Sequence, residues 1–285
     1  MDVKGIILAA GYGTRFLPLT KTVPKELLPM GTRPSIHYIV EEYLKSGIRE
    51  ILIVNSRRKK AIEDYFDIEA ELDSVFAREG KERHRELIAP PDARIYFARQ
   101  PEMKGTGAAI LLAREFAAGC PSVLAFPDDI HMGEAPLAGQ LINVHQRTGG
   151  SVLALEHIPE PEDISRYGVA AVTDDPLGTR VTGIIEKPAT GTEPSRYISV
   201  GRYLLAPEVF DVLARQYTEH TSGEFNMTGG FDELAHAGRL WGCFFSGERL
   251  DTGEPLGYYQ AAVRFMLADP TYREPFAAFL RGLNL

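Results

Sequence analysis

Short apolar runs and longer amphipathic stretches alternate along the first half of the chain. The apolar runs predict buried strands at residues 5–10, 50–55, 94–98 and 122–126. The amphipathic stretches carry apolar residues at helical spacing and predict helices at residues 34–46, 59–66 and 106–118. Strands that are apolar on both faces must be covered on both sides. The pattern therefore predicts a parallel sheet between two layers of helices.

The pattern changes after residue 150. Strand-like segments follow one another at residues 151–158, 168–172, 181–186 and 197–205, with only short helices between them. Residues 258–267 and 275–283 predict closing helices, and the mixed charges of residues 69–87 predict a solvent-exposed helical excursion. We therefore expect one α/β domain over residues 1–285, with a mixed, mainly parallel central sheet and a smaller antiparallel extension. Residues 1–150 would form its nucleotide-binding half and residues 151–285 its second half.

The composition excludes several classes of protein. The chain has 285 residues, and its 31 Lys and Arg against 39 Asp and Glu give a net charge of −8. This balance argues against nucleic acid as a partner, because phosphate backbones need a cationic surface. Cys120 and Cys243 lie in no metal-binding or disulfide spacing. No apolar run reaches the length of a membrane span and the N-terminus has no signal-peptide pattern, so we expect a cytoplasmic protein without a membrane partner.

The segment after the first predicted strand carries the densest candidate chemistry. Gly11 and Gly13 stand two positions apart, and Arg15 and Lys25 follow them. Bare glycine backbone can approach a phosphate closely, and the arginine fork and the lysine charge can bind its oxygens. Ligands of parallel sheets bind beyond the carboxyl ends of the strands, where this loop begins. The pattern therefore indicates a site for the phosphates of a nucleotide, although two glycines at this spacing also occur in ordinary turns.

Two other nucleotide-binding motifs fit less well. The sequence GYGTRF lacks the third glycine of the dinucleotide fingerprint, and basic residues follow Asn55 where that fingerprint needs an acidic ribose ligand. The Gly-x4-Gly-Lys-Ser/Thr pattern of P-loop proteins is absent. A dinucleotide-dependent oxidoreductase is therefore the weaker alternative.

Residues 9–30, AAGYGTRFLPLTKTVPKELLPM, resemble the signature of the sugar-nucleotide pyrophosphorylases. They are most similar to the form G-x-G-T-R-x-L-P-x-T-K-x-x-P-K-E-x-L-P of the bacterial uridylyltransferase members, and every fixed position is met. The resemblance implies a Rossmann-like nucleotidyltransferase fold. It also implies an enzyme that joins UTP and glucose 1-phosphate into UDP-glucose and pyrophosphate, with Mg²⁺ as cofactor, by direct attack on the α-phosphorus.

Later stretches resemble the family in the same order, and the resemblance assigns roles to individual residues. It implies nucleotide binding by Ala9, Ala10, Gly11, Gly13, Thr14, Glu26, Gln100 and Gly105. It implies sugar binding by Gly168, Glu186, Lys187 and Gly201. It implies a catalytic set of Arg15, Lys25, Lys187, Asp128 and Asp251. In that set the two aspartates would bind the metal, Lys187 the sugar phosphate, and the other two cations the pyrophosphate.

Residues 223–230, GEFNMTGG, depart from the family pattern, which usually reads Gly-Asp-Glu-x-Gln-Leu-Thr-Asp. One acidic residue is missing, and Gly229 stands where aspartate is common. The sugar preference and the expected homo-oligomer, a dimer or a tetramer, are therefore the inferences that depend most on this stretch. A dTTP-dependent thymidylyltransferase and a sugar-nucleotide-binding relative without turnover remain open alternatives. Asp129, beside Asp128, either orients the site or caps a turn.

Overall fold

A sheet of nine strands runs through the centre of the molecule in a computed structural model that describes residues 2–283. The strands are β1 (Lys4–Leu8), β2 (Pro29–Met30), β3 (Arg33–Pro34), β4 (Glu50–Asn55), β5 (Arg94–Arg99), β6 (Ser122–Ala125), β7 (Asp129–Met132), β8 (Ser151–His157), β9 (Gly168–Asp175), β10 (Gly178–Glu186), β11 (Tyr197–Leu205), β12 (Leu240–Phe244) and β13 (Glu248–Asp251). The helices are α1 (Ser35–Lys45), α2 (Lys60–Phe66), α3 (Ala70–Arg78), α4 (Glu82–Ile88), α5 (Thr106–Leu111), α6 (Arg114–Ala117), α7 (Leu137–Thr148), α8 (Glu208–Glu219), α9 (Thr228–His236), α10 (Pro255–Ala268) and α11 (Arg273–Arg281).

The order of strands in the central sheet is β5-β4-β1-β6-β11-β8-β12-β10-β9. The four strands from the first half of the chain pair in parallel. The second half continues the same sheet through antiparallel pairings of β11 with β6 and β8, and of β10 with β12 and β9. The expected mixed sheet with a mainly parallel first half and an antiparallel extension is therefore confirmed.

Alternate residues of the parallel strands point into two separate hydrophobic cores. Ile7 and Ile53 belong to the core beneath α1, α2 and α7, whereas Ile6 and Leu52 belong to the core beneath α5, α8 and α9. All four side chains are buried. The apolar runs of the sequence come from this two-sided burial, which confirms the predicted helical cover on both faces.

Several elements differ from the sequence-based expectation. The helix predicted at residues 106–118 is wrong as one unit, because the chain tightens at Leu112 and Ala113, whose amides donate to carbonyls three residues back, and α6 begins afresh. Helix α8, of 12 residues, follows the last of the strands predicted after residue 150 and was not predicted. The short polar strands β7 and β13 were not predicted; they pair only with each other, in antiparallel fashion. Among residues 2–283, no helix combines the length and the apolar character needed to cross a bilayer.

Candidate active site

Two adjoining cavities lie at the carboxyl ends of β1 and β6. The first, of 360 Å³, is lined by most of the residues expected to bind the nucleotide: Ala10, Gly11, Gly13, Thr14, Glu26, Gln100 and Gly105. The second, of 390 Å³, is lined by all of the residues expected to bind the sugar: Gly168, Glu186, Lys187 and Gly201. Asp128 lies in the wall of both cavities, Lys25 faces the first, and Arg15 and Asp251 face the second. The residues expected at the nucleotide and those expected at the sugar thus line two cavities that share Asp128, although Arg15, expected at the pyrophosphate, lines the second.

The loop after β1 folds into short 3₁₀ turns that present its backbone to the first cavity. Gly13 has a φ of 68°, and a Cβ there would lie 3.2 Å from Thr20, whose hydroxyl donates to the Gly13 carbonyl at 2.7 Å. Nothing lies within 4 Å of the position that a Gly11 Cβ would take. Gly13 is therefore needed for the turn itself, whereas Gly11 leaves open space beside the cavity, as close approach of a phosphate requires.

Ala9 and Glu26 support this loop through a lysine that the sequence analysis did not single out. Lys59 donates to the Ala9 carbonyl at 2.6 Å and to the two carboxylate oxygens of Glu26 at 2.7 and 2.8 Å. The Glu26 side chain is 1% exposed. The geometry gives Glu26 a structural role in fixing the loop. Glu26 also lines the first cavity, and its contact with the nucleotide stays a prediction. The basic run at residues 57–60, directly after β4, was the available signal for Lys59.

Lys25 and Asp128 form a close ion pair between the two cavities. Burial alone would lower the pKa of Lys25, but the carboxylates of Asp128 and Glu26 outweigh burial and hold that pKa above its ordinary value. Burial alone would raise the pKa of Asp128, but the Lys25 ammonium lies against it and holds that pKa below its ordinary value. Both groups are therefore charged at neutral pH.

The expected base-binding segment is fixed by the stretch that departs from the family pattern. Gln100 is 7% exposed, and its backbone N–H donates to the Asn55 carbonyl at 2.8 Å. Gly105 has a φ of 99°, and a Cβ there would collide with the carbonyl of Phe225. The Phe225 carbonyl also accepts from Gly107 at 2.9 Å, and the Phe225 amide donates to Lys104 at 2.8 Å. Phe225 therefore clamps the expected base-binding segment, a role that the sequence of residues 223–230 did not reveal.

Asp128 and Asp251 converge although they belong to opposite halves of the chain. An oxygen of each lies 3.1–3.2 Å from the point where a Gly253 Cβ would stand, and Arg15 lies 3.3 Å from the same point. Thr252 ties the two segments together, because its amide and hydroxyl donate to the Asp128 carbonyl at 2.7 and 2.9 Å. Within the part of the chain that the structure describes, no group of three or more His, Cys, Asp or Glu side chains could hold a metal. Asp128 and Asp251 thus offer a pair of carboxylates, and hard oxygens of this kind suit Mg²⁺.

Glu186 and Lys187 stand at the end of β10 in the second cavity. Glu186 accepts from the Thr228 hydroxyl at 2.9 Å, on the first residue of α9. Lys187 has a φ of 47°, which is unusual for a residue with a side chain, and its amide donates to Tyr167 at 3.0 Å. Its side chain is 64% exposed. Strained backbone of this kind concentrates at functional sites, and here it accompanies an exposed ammonium that lies beside the cavity, 3.9 Å from the Glu186 carboxylate.

Gly201 and Asp129 are in close contact, which explains why residue 201 is a glycine. A Cβ on Gly201 would lie 2.6 Å from the Cβ of Asp129, and the Gly201 amide donates to the Asp129 carboxylate at 2.9 Å. The same carboxylate accepts from Arg249 at 2.8 Å. Asp129 lies in the wall of the second cavity, and its carboxylate is already bonded to Gly201 and Arg249, which favours an orienting role.

Comparisons with known proteins identify the family of this chain. A family profile described as Nucleotidyl transferase matches residues 4–266. The UTP–glucose-1-phosphate uridylyltransferases of Staphylococcus epidermidis and Staphylococcus haemolyticus are each 40% identical to this chain, over 99% of it and 98% of their own lengths.

Solved structures place the whole chain in the same fold. The UTP-bound UGPase from Acinetobacter baumannii superposes with a TM-score of 0.89 at 28% identity, over 100% of both chains. A UDP-glucose pyrophosphorylase complexed with UDP-glucose superposes with a TM-score of 0.80 at 31% identity, over 93% of this chain and 98% of that one. The chain therefore belongs to the nucleotidyl transferase family, among relatives that are UTP–glucose-1-phosphate uridylyltransferases.

Proposed function

We propose that this chain transfers the uridylyl group of UTP to glucose 1-phosphate, which makes UDP-glucose and pyrophosphate. The observation that carries the proposal is the pair of adjoining cavities with Asp128 in the wall of both. A nucleotide in the first cavity and a sugar phosphate in the second would meet beside that carboxylate. Relatives named for this activity, at 40% identity over nearly the whole chain, support the same reaction.

The cationic side chains divide between the two reacting anions. Lys187, exposed in the wall of the second cavity and 3.9 Å from Glu186, would hold the phosphate of glucose 1-phosphate. Lys25 and Arg15 would stabilise pyrophosphate as it leaves in line with the attacking oxygen. Catalysis would then come from positioning and from charge neutralisation, because bringing two anions together is the main barrier. The attacking phosphate oxygen is already ionised, so no general base is required.

Asp128 and Asp251 are the residues that would hold Mg²⁺. Two carboxylates suit this ion because it keeps waters and takes phosphate oxygens as its further ligands. When bound, it would neutralise charge on the phosphate oxygens. The Lys25 ammonium lies against the Asp128 carboxylate, and the Tyr167 hydroxyl donates to Asp251 at 3.3 Å.

Gln100 and the Gly105 backbone support a preference for a pyrimidine base, since both line the first cavity. The test is pyrophosphate release by the purified protein with UTP, dTTP, ATP or GTP, each paired with several sugar 1-phosphates. We expect UTP with glucose 1-phosphate to be the best pair and both purine nucleotides to be poor, because a mismatched base leaves buried polar groups unpaired. Preference for dTTP would replace the proposal with a thymidylyltransferase. Nucleotide binding without any pyrophosphate release would indicate a non-catalytic relative.

The expected dimer or tetramer is a further part of the proposal. Leu256, Tyr259 and Phe279, on α10 and α11, are 59–67% exposed, which supports contact with a second copy through the closing helices. Light scattering during size-exclusion chromatography measures the mass directly. The use of UTP, a cytoplasmic nucleotide, supports the cytoplasmic location expected from the sequence.

A further inference from the structure

Arg249 lies nearly buried among three carboxylates beside the site. Its side chain is 10% exposed, and its nitrogens lie 2.8 Å from Asp129, 3.4 Å from Glu156 and 3.4 Å from Asp251. The guanidinium also stands 5.3 Å from the ring centroid of Tyr167, whose hydroxyl donates to Asp251 at 3.3 Å. Several directed bonds hold a buried arginine in this position. Its guanidinium can therefore fix the position of one carboxylate relative to another.

Asp129 anchors this arginine to the central sheet. Its carboxylate accepts from the Gly201 amide in β11, and its carbonyl accepts from Arg202 at 3.1 Å. Arg202 is itself fully buried and paired with Glu42 at 2.9 Å. Asp129 is therefore fixed by two bonds that do not involve Arg249.

The register of the small sheet places the two aspartates opposite each other. In the antiparallel pairing of β7 with β13, Asp251 pairs with Asp129. Two carboxylates facing each other across strands repel, and a cation between them removes the repulsion and fixes their spacing. Arg249 occupies that place, two residues before Asp251 on the same strand.

We infer that Asp129 and Arg249 are positioning residues that set the carboxylate of Asp251 toward Asp128. The inference rests on the proposed function, in which these two aspartates hold Mg²⁺. Arg249 and Tyr167 donate to one oxygen of Asp251, and the Gly253 amide donates to the other at 3.0 Å. A carboxylate has about four lone-pair sites, so these bonds orient it and leave capacity for a metal.

The test compares Arg249→Met and Arg249→Lys with the wild type in steady-state kinetics and in calorimetric titration of UDP-glucose at varied Mg²⁺. Removing a partner of a metal ligand typically costs about 10–100-fold in metal affinity or activity. We expect Arg249→Met to raise the Mg²⁺ concentration needed for half-maximal UDP-glucose binding by about that factor, and to lower kcat without a matching rise in the KM for UTP. Arg249→Lys, which keeps the charge without the fork, should recover part of the loss. Asp129→Asn should also raise the Mg²⁺ concentration needed for half-maximal UDP-glucose binding.

A double-mutant cycle separates positioning from direct contact with substrate. If Arg249 acts through Asp251, adding Arg249→Met to Asp251→Asn costs little further activity, whereas independent losses that multiply would overturn the inference. Arg264→Met is the matched control, since Arg264 pairs with Glu248 of the same strand at 2.8 Å but is half exposed. A purely structural role would lower the thermal midpoint and leave the Mg²⁺ dependence unchanged in all Arg249 and Asp129 variants, which would also overturn it. An inactive wild type would reject the proposed function, while active wild type with unaltered variants would reject positioning alone.

Discussion

Lys25 keeps a full charge at a mostly buried position because Asp128 lies against it. In the free protein this contact satisfies both groups, and a bound triphosphate would offer the ammonium a second anionic partner. A charge that is already fixed before substrate arrives needs little reorganisation, which is what stabilises a leaving group efficiently.

We therefore expect Lys25→Ala to lower kcat/KM for pyrophosphate release by at least about 100-fold, the usual effect of removing such an electrostatic group. Lys60→Ala is the matched control, because Lys60, the first residue of α2, is 74% exposed in a surface pair with Asp64. Steady-state kinetics with both folded variants makes the comparison. Near-normal turnover in Lys25→Ala would remove Lys25 from the catalytic set.

The same ion pair predicts how the free energy of unfolding depends on pH. The pKa of Asp128 is depressed, so its contribution is present above the ordinary carboxyl pKa of about 4 and disappears as the pH falls through the depressed value. The pKa of Lys25 is raised, so its contribution is present below about 10.4 and disappears as the pH rises through the raised value.

Urea unfolding of the wild type and of the Lys25→Met/Asp128→Asn double variant measures this contribution. The difference between their free energies of unfolding should be constant between about pH 5 and pH 9 and should shrink below about pH 4. A difference that stays constant at pH 3 would show that the pair does not couple stability to protonation.

The elements that carry the site differ in how strongly their own sequence determines them. The strands β1 and β4 are predictable because burial on both faces leaves continuous apolar runs. The strands β7 and β13 are short and polar, and they exist because each pairs with the other across more than a hundred residues of sequence. The helix α9 carries two glycines directly after its first residue, against helical propensity. At Gly230 a Cβ would lie 2.7 Å from Leu213, so close packing requires the glycine there.

The candidate site shows the same division. The resemblance to the family identifies the residues that line the two cavities, whereas residue type and spacing alone identify only the phosphate loop with Gly11, Gly13, Arg15 and Lys25. Their partners Lys59, Phe225 and Arg249 carry no local signal of comparable strength, because each meets the site only after the chain has folded. The helix α8 is a different case: Val209, Phe210 and Leu213 are buried at helical spacing, and that pattern was available in the sequence.

Packing of the loop at Gly105 against residues 223–230 makes a prediction at the level of elements. Gly105→Ala would add backbone strain at a φ of 99° and a collision with the Phe225 carbonyl. Gly119→Ala is the matched control, because Gly119 has a φ of 77° but no atom within 4 Å of its would-be Cβ. Strain alone costs about 1–2 kcal/mol.

We expect Gly119→Ala to lose about that much stability and to keep the KM for UTP. Gly105→Ala should lose more stability and raise the KM for UTP, because the clamp at the base segment must open. Thermal unfolding and kinetics of the two variants decide the matter. Equal stability losses with unchanged KM in both would mean that only backbone strain is at stake.

At the scale of the whole molecule, the site joins the two halves of the chain. Asp128 follows β6 of the parallel half, Asp251 ends β13, and the bonds from Thr252 to the Asp128 carbonyl hold the segments together. In the free protein each of these carboxylates already has cationic or hydroxyl partners, Lys25 for one and Arg249 and Tyr167 for the other. A metal ion that approaches without nucleotide must compete with these partners and finds only two protein carboxylates.

We therefore expect Mg²⁺ alone to bind weakly and to leave the thermal midpoint nearly unchanged, whereas Mg²⁺ with UDP-glucose raises it. A ligand at about 100 times its Kd adds about 2.7 kcal/mol to the free energy of unfolding, which corresponds to about 5–10 °C for a chain of this size. In Asp251→Asn, UDP-glucose should still raise the midpoint, because the base is held in the other half, but Mg²⁺ should add little. Differential scanning calorimetry of both proteins with metal, nucleotide sugar or both measures the increments. An Mg²⁺ increment retained in folded Asp251→Asn would reject the two-carboxylate site, because it would show that the metal binds without the Asp251 carboxylate.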